Sequence, residues 1–281
     1  MSRTRLFVLT LFAMIAFAGN SLLCRMALKE TRIDAATFTS MRIISGALML
    51  WLIVSIRRDA QAASGNWLSA LALFAYAAAF SFAYTSLPVA TGALLLFGAV
   101  QATMIGYGLL SGERPRKRQI AGFVLAFGGL VSLLLPGLSA PPLPGSLLML
   151  CAGVAWGAYS LRGRGSSDPL RVTAGNFLRA VPLAAALSLA MFSKASFDSS
   201  GFWYAISSGA ITSGVGYALW YTALKGLKAT SAATVQLSVP VITAVGGLIF
   251  LGEHITPRVL ISSIAILGGI AFVIYEKQPA E

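Results

Sequence analysis

Ten apolar runs, each bounded by a few polar or charged residues, account for most of the chain: 6–28, 35–56, 66–87, 89–110, 119–136, 145–162, 170–192, 201–223, 227–251 and 258–275. Each run comes near the ~20 residues of helix needed to cross a hydrocarbon core. Backbone in lipid has to satisfy its own hydrogen bonds, so the runs predict helices or broken helices. The connections are short; Leu87 and Pro88 nearly fuse runs three and four. One break, "PGLSAPPLPG" at 136–145, is uncharged, rich in Pro and Gly, and close to the midpoint. The pattern therefore predicts a five-helix unit over 1–136, a linker over 137–144, a second five-helix unit over 145–276 and a tail over 277–281.

Composition places those helices in a membrane. Hydrophobic residues make up 57% of the chain, charged residues only 11%, and mean hydropathy is +0.80. A soluble domain carries about 25% charged residues, so the expected fold class is an all-α polytopic membrane protein. A net charge of +12 could suggest nucleic acid, yet the basic residues fall at the ends of the apolar runs. "ERPRKRQ" at 113–119 is the dense cluster, and a basic loop beside a span is explained by topology. No nucleic-acid partner is expected. Cys24 and Cys151 both lie in apolar helical stretches, which indicates neither a disulfide framework nor a metal site. No cofactor is implied.

The opening residues carry two readings. Arg3 and Arg5, the apolar run from Leu6 to Phe17, and "AFA" at 16–18 have the layout of a secretory signal peptide. An internal repeat argues for a retained first helix instead. A shift of 140 residues pairs Ala93 with Ala233, Gly106 with Gly246, Gly112–Glu113 with Gly252–Glu253, and Gly128–Gly129 with Gly268–Gly269. Upstream the offset drifts slightly. "YTSL" (84–87) answers "YTAL" (221–224), Arg42 answers Arg179, and "AFAGNSLLCR" (16–25) answers "AWGAYSLRGR" (155–164). A signal peptide has no reason to recur at the head of the second half.

Each repeat holds an odd number of spans, so tandem copies face opposite ways across the bilayer, as inverted-topology repeats. With the N-terminus inside, 14 Lys and Arg fall on inner segments and 5 on outer ones, leaving Arg42 and Arg179 within spans. Basic residues are retained on the cytoplasmic side, so both termini are expected there. Inverted halves that exchange conformations can open a midplane site to one compartment at a time. That arrangement also occurs in channels.

The stretch from Tyr221 to Val273 resembles the repeat of the drug/metabolite transporter superfamily. The resemblance lies in the small residues that open the ninth run, "VPV" at 239–241, "LGE" at 251–253 and the following "GG". The first half carries a degenerate copy, with "SGE" at 111–113 and Val100 where Pro240 stands. The resemblance implies an EamA-type exporter of a bacterial inner membrane, with ten transmembrane helices in two inverted repeats. The aromatic content of its cavity is similar to YddG-like exporters of aromatic and other neutral amino acids. It also implies a cavity lined mainly by spans one, three, four, six, eight and nine.

On those spans, Tyr76, Phe80 and Tyr84 lie at i, i+4 and i+8, along one face of a helix. Tyr217 and Tyr221 form the corresponding stripe on span eight, with Trp220 beside them and Trp156 and Tyr159 on span six. Asn20, Gln101, Gln236 and Ser238 supply polar groups at similar depth. Rings can pack an apolar side chain and attract an ammonium, while amides and hydroxyls bind its polar ends. The same rings could equally be packing residues or interface anchors. Arg42 and Arg179, inside spans, could clamp a carboxylate, gate the path, or snorkel to the interface as structural residues. Glu113 and Glu253 read as groups that tie helices. Gly246, Gly247, Gly268 and Gly269 read as close-packing positions, and Pro240 as a kink or hinge in span nine.

All nine acidic residues fall at or beyond span ends, and the only His is His254 in a loop. Proton-coupled carriers place protonatable groups along the pathway, so facilitated export without a proton-relay carboxylate is expected. One loop His supports neither a nucleophile–base pair nor a zinc set, and no P-loop occurs, so an enzyme is not expected. The expected partners are a small-molecule substrate and the lipid bilayer, with a monomer as a sufficient unit. An exporter of nucleosides or neutral drugs, and a channel-like pore, stay open as alternatives.

Overall fold

A computed structural model describes residues 2–57, 64–112, 117–135, 137, 140–163, 166–227 and 235–275. The described residues are helical with short connections. The helices are α1 (Arg3–Glu30), α2 (Ala35–Ile56), α3 (Trp67–Tyr84), α4 (Val89–Leu110), α5 (Lys117–Leu134), α6 (Leu143–Arg162) and α7 (Pro169–Ala190). A 3₁₀ turn, Phe192–Lys194, leads to α8 (Ser199–Ser207), which continues through a π-helical segment, Ser208–Val215, into α9 (Gly216–Leu224) as one rod. α10 (Ser238–Leu251) and α11 (Pro257–Tyr275) complete the chain. Helices α1 to α7 are each long and apolar enough to cross a membrane, and α10 and α11 are shorter apolar helices. Large side chains such as Phe127, Leu110, Leu189, Phe250 and Ile264 stand exposed on the outer surface, where a bilayer would solvate them.

The polar punctuation between runs starts the helices. Asp34, Asn66, Asp168 and Asp198 each accept an N–H from the first turn of the helix that follows, which satisfies donors that no intrahelical carbonyl can reach. α4 follows Pro88 and has no such local cap. Its first N–H, on Val89, donates instead to Glu253 Oε2 at 2.6 Å. Gly252, in the left-handed region at φ 59°, ends α10 and lets the Glu253 N–H return to the Gly247 carbonyl. That turn aims the Glu253 carboxylate back across the bundle. Glu113, its repeat mate, and the start of the ninth run at 228–234 lie outside the described residues. The break expected near Pro240 falls at Leu237, just before α10. Pro240 has no N–H for the Gln236 carbonyl four residues back, so the helix is interrupted there.

The packing exhibits the inverted repeat directly. A Cβ on Gly129 would meet Ala265 and Ile266, and a Cβ on Gly269 would meet Gly122 and Ala126. Residues 126 and 129 are 140 positions before 266 and 269. The contact between 129 and 266 is therefore repeated, with partners exchanged, as the contact between 269 and 126. Reciprocal contacts of this kind are the mark of a two-fold relation. α2 and α7 repeat the lesson: Ser40 Oγ donates to Ala184 O, and Gly46 sits against Phe177. Both pairs run antiparallel. Around them, α1 packs against the α8–α9 rod and α10, as α6 packs against α3 and α4.

Gly246 and Gly247 abut Leu22 and Val89, in keeping with close packing. Gly268 is a correction, because a Cβ there would meet nothing within 4 Å. One residue along a helix is about 100° of rotation, so when Gly269 faces the seam its neighbour is turned away from it.

Candidate functional site

The connections gather at two ends of the bundle. At the first end lie those joining α1–α2, α3–α4, α5–α6, α7–α8 and α10–α11. Asp34 joins the halves there: its Oδ1 accepts from Ala36 and Thr37 at the head of α2, and its Oδ2 accepts from Ser196 at 2.8 Å. Burial pushes this carboxyl up, but the Ser196 and Thr37 hydrogen bonds outweigh it and hold it below the usual range. Arg25 Nε donates to Glu253 Oε1 at 2.9 Å, and its Nη1 donates to the Tyr84 carbonyl at 2.8 Å. Glu253 so ties α1, the α3–α4 turn and the end of α10 together, as expected of a helix-tying group. A cleft of about 220 Å³, bordered by Pro88, Pro141, Pro142 and His254, lies beside it. At the second end, Arg162 reaches Asn66 and Ser69, and the Asn66 N–H donates to Asn176 Oδ1.

Between the two ends the aromatic residues come together. Phe80 lies 4.8 Å edge-on from Tyr84 and 5.4 Å from Tyr76 along α3, and Tyr76 lies 4.8 Å from Trp156 of α6. Trp156 in turn stacks on Tyr217 of α9 at 5.4 Å and on Tyr159 at 5.4 Å. Tyr221 lies 6.3 Å from Tyr217. The stripes on α3 and α9 thus meet through Trp156. Trp220 joins through Phe17 at 5.9 Å, and Phe17 also lies 5.8 Å from Tyr217.

Phe17 and Phe177, which lies 6.0 Å from Tyr217, were not among the residues expected from sequence. A signal for Phe17 existed, since it occupies the repeat position of Trp156. Phe177 had none, because its repeat mate is Ser40.

Polar groups thread this aromatic set. Tyr76 Oη accepts from Arg42 Nη2 at 3.0 Å and from Asn20 Nδ2 at 3.2 Å. Asn20 Oδ1 accepts from Ser208 Oγ at 2.7 Å, and the Thr212 hydroxyl lies 3.4 Å away. Ser208 and Thr212 belong to the π-helical segment, and π-helical turns concentrate at functional sites. Gly209, in the same segment, leaves room for the Arg42 carbonyl and the Ser45 hydroxyl, which a Cβ would strike. Nearer the second end, Tyr159 Oη, Thr173 Oγ1 and Tyr221 Oη form a hydroxyl chain with 3.2 Å at each link.

The other expected polar residues take different places. Gln101 is buried on α4, on the segment facing Gly153 and Gly157 of α6. Gln236 is half-buried beside the break before α10, and Ser238 Oγ donates to the Val235 carbonyl. The two arginines also differ. Arg42 does not snorkel: it is 2% exposed, with its guanidinium 4.9 Å from the Phe80 ring centre and 5.2 Å from that of Tyr76. Arg179 is half-buried and donates to the Gly175 carbonyl of its own helix.

The profile of the EamA-like transporter family matches the chain twice, over residues 5–135 and 143–275. An uncharacterised protein of Pseudomonas aeruginosa is 57% identical over 271 residues, which span 96% of this chain and 94% of that protein. A protein of Archaeoglobus fulgidus described as an uncharacterised transporter is 27% identical over 285 residues, 96% of each chain. A solved crystal structure that is 19% identical superposes with a TM-score of 0.66, covering 97% of this chain and 98% of its own. At that identity the likeness concerns the fold alone.

Proposed function

The chain belongs to the EamA-like transporter family, and within the membrane transport of small molecules we propose that it exports neutral and aromatic amino acids or closely related metabolites. The observation that carries this reading is the convergence of the α3 and α9 ring stripes on Trp156, with Asn20, Ser208 and Thr212 alongside. Rings of this kind take up an apolar side chain, and neutral hydrogen-bonding groups orient the polar end of the solute. In the proposed cycle the two inverted halves rock about this region and expose it to one compartment at a time. In that cycle the Arg25–Glu253 ion pair and the Glu253–Val89 hydrogen bond are the contacts that would hold the first end together. Opening that end would have to break them. The membrane is the bacterial inner membrane, with both termini cytoplasmic.

Purified protein in liposomes tests the reading. Saturable uptake of phenylalanine or threonine, and exchange against preloaded amino acid, are expected, with at least a tenfold loss in Trp156→Ala. Flux that grows linearly with concentration would replace the carrier by a pore. Uptake of nucleosides with no competition from amino acids would replace the substrate class.

A further inference from the structure

We propose that the guanidinium of Arg42 is the receptor for a carboxylate on the transported solute, an inference that rests on the aromatic region being the transport site. Arg42 lies seven residues inside α2, about 10 Å along the helix from its first residue. Its Nη2 donates to Tyr76, but its buried Nη1 has no hydrogen-bond partner. A buried guanidinium normally finds an anion, because its desolvation is offset only by a countercharge or a full set of acceptors. Here the neighbours include the Tyr76 phenol, the faces of Tyr76 and Phe80, the Tyr217 phenol and the Cys24 thiol, none of them a carboxylate.

None of the described acidic residues bonds to Arg42. Glu253 holds Arg25 and Val89, and Asp34 holds Ser196 and the head of α2. Asp168 and Asp198 cap α7 and α8, and Glu30 ends α1. Among the described residues none supplies a negative charge to Arg42, and in this proposal the solute brings it.

The surroundings define the rest of the ligand. Tyr76 Oη already accepts from both Arg42 and Asn20, so its own proton is free to be donated to a carboxylate oxygen beside Nη1. Phe80 and Trp156 flank Tyr76 at 5.4 and 4.8 Å and are the rings that the apolar body of such a solute would meet. A solute with a carboxylate at one end and an apolar body fits. A nucleoside brings no countercharge, and a cationic drug brings the wrong one. Arg179, the repeat mate, bonds to its own helix, so the site is single and lies on one side of the pseudo-axis.

The test compares acid and amide partners of the same solute: phenylalanine with phenylalaninamide, and lactate with lactamide. Competition in liposomes and ligand-induced thermal shift in detergent are both read. In the unsubstituted protein the acid is expected to bind at least tenfold more tightly than its amide in at least one pair. Arg42→Gln should bring the two members within threefold, Arg42→Lys should retain part of the preference, and Arg179→Gln should leave it intact. Should Arg42→Gln fail to fold, the acid–amide ratio in Arg42→Lys against the unsubstituted protein decides. Equal binding of acid and amide in the unsubstituted protein, or an undiminished preference in Arg42→Gln or Arg42→Lys, overturns the inference. A preference confined to lactate would uphold the Arg42 site and overturn the amino-acid reading. Uptake of phenylalanine without acid–amide discrimination would do the reverse.

Discussion

At the seam between α5 and α11, each half makes the contacts that the other makes. Gly129 stands against Ile266 and Gly269 against Ala126, with one helix turned end for end relative to its mate. In the aromatic region the same exchange of halves breaks down. Asn20 hydrogen-bonds Tyr76, whereas its repeat mate Tyr159 joins a hydroxyl chain with Thr173. Trp156 touches both ring stripes, while its mate Phe17 contacts Tyr217 and Trp220 of α9 alone. Arg42 is enclosed by rings and Arg179 is not. α3 is a regular helix, and its counterpart passes through a π-helical segment. The seam needs only small residues at matching heights, which symmetric sequences provide. A small asymmetric solute needs an asymmetric set of contacts, and the halves diverge where those contacts would be made.

The largest expected effect comes from breaking the symmetric side of this comparison. Gly269→Leu would drive a side chain into α5, since even a Cβ comes within 2.6 Å of the Ala126 nitrogen. Overpacking of this kind costs on the order of 3 kcal/mol, read as a lowered melting temperature in detergent. Gly268→Ala, one residue away, should change stability by less than about 0.5 kcal/mol. Equal losses at both positions would refute the seam.

Next is the ion pair at the first end. Glu253→Ala leaves Arg25 without its carboxylate and the Val89 N–H without its acceptor. Arg25 keeps its bonds to the Tyr84 and Thr85 carbonyls, so losing the charged hydrogen bonds of Glu253 should cost about 2 kcal/mol. Cysteine accessibility at the first end should rise as well; unchanged labelling there would show that Glu253 does not control access at that end.

Tyr76→Phe acts on the asymmetric side. It strips an acceptor from two buried donors, Arg42 Nη2 and Asn20 Nδ2, at about 1–2 kcal/mol. Transport should fall further than stability does; a purely structural role would lower both together.

The smallest effect is at Asp34. Its carboxyl is held below the usual range when folded, so the stabilisation is fully present above the unfolded value of about 3.9 and is lost as pH falls through the lower folded value. Asp34→Asn keeps one acceptor but loses the charge and the second oxygen that take the Ser196 N–H and the head of α2, and should cost about 1 kcal/mol near neutral pH. It should also flatten the acid limb of a melting curve taken below pH 5. An unchanged acid limb would show that this carboxyl is not the group responsible.

Much of this architecture is legible in the sequence. The boundaries of α2 and α4 coincide with the second and fourth apolar runs, because charged or proline-containing punctuation marks where lipid ends and caps begin. The ring stripes followed from helical spacing, and Asn20 from its depth in the first run. Gly268 misled because a glycine pair looks uniform in sequence, whereas the rotation between neighbours sends only one into the seam. The π-helical segment carries no strong local signal. Ser208 and Thr212 became neighbours of Asn20 through the way α1 packs on the rod from α8 to α9.

By itself the amino-acid order determined the medium, the places of most of the apolar helices, and the duplication. These depend on hydropathy and periodicity, which act locally along the chain. The tertiary structure decided which of two repeat-related arginines is enclosed, which tryptophan bridges the halves, and which glutamate takes over the cap that α4 lacks. Those outcomes depend on contacts between residues more than a hundred positions apart, where a rotation of one residue or a single π-helical turn changes the partner.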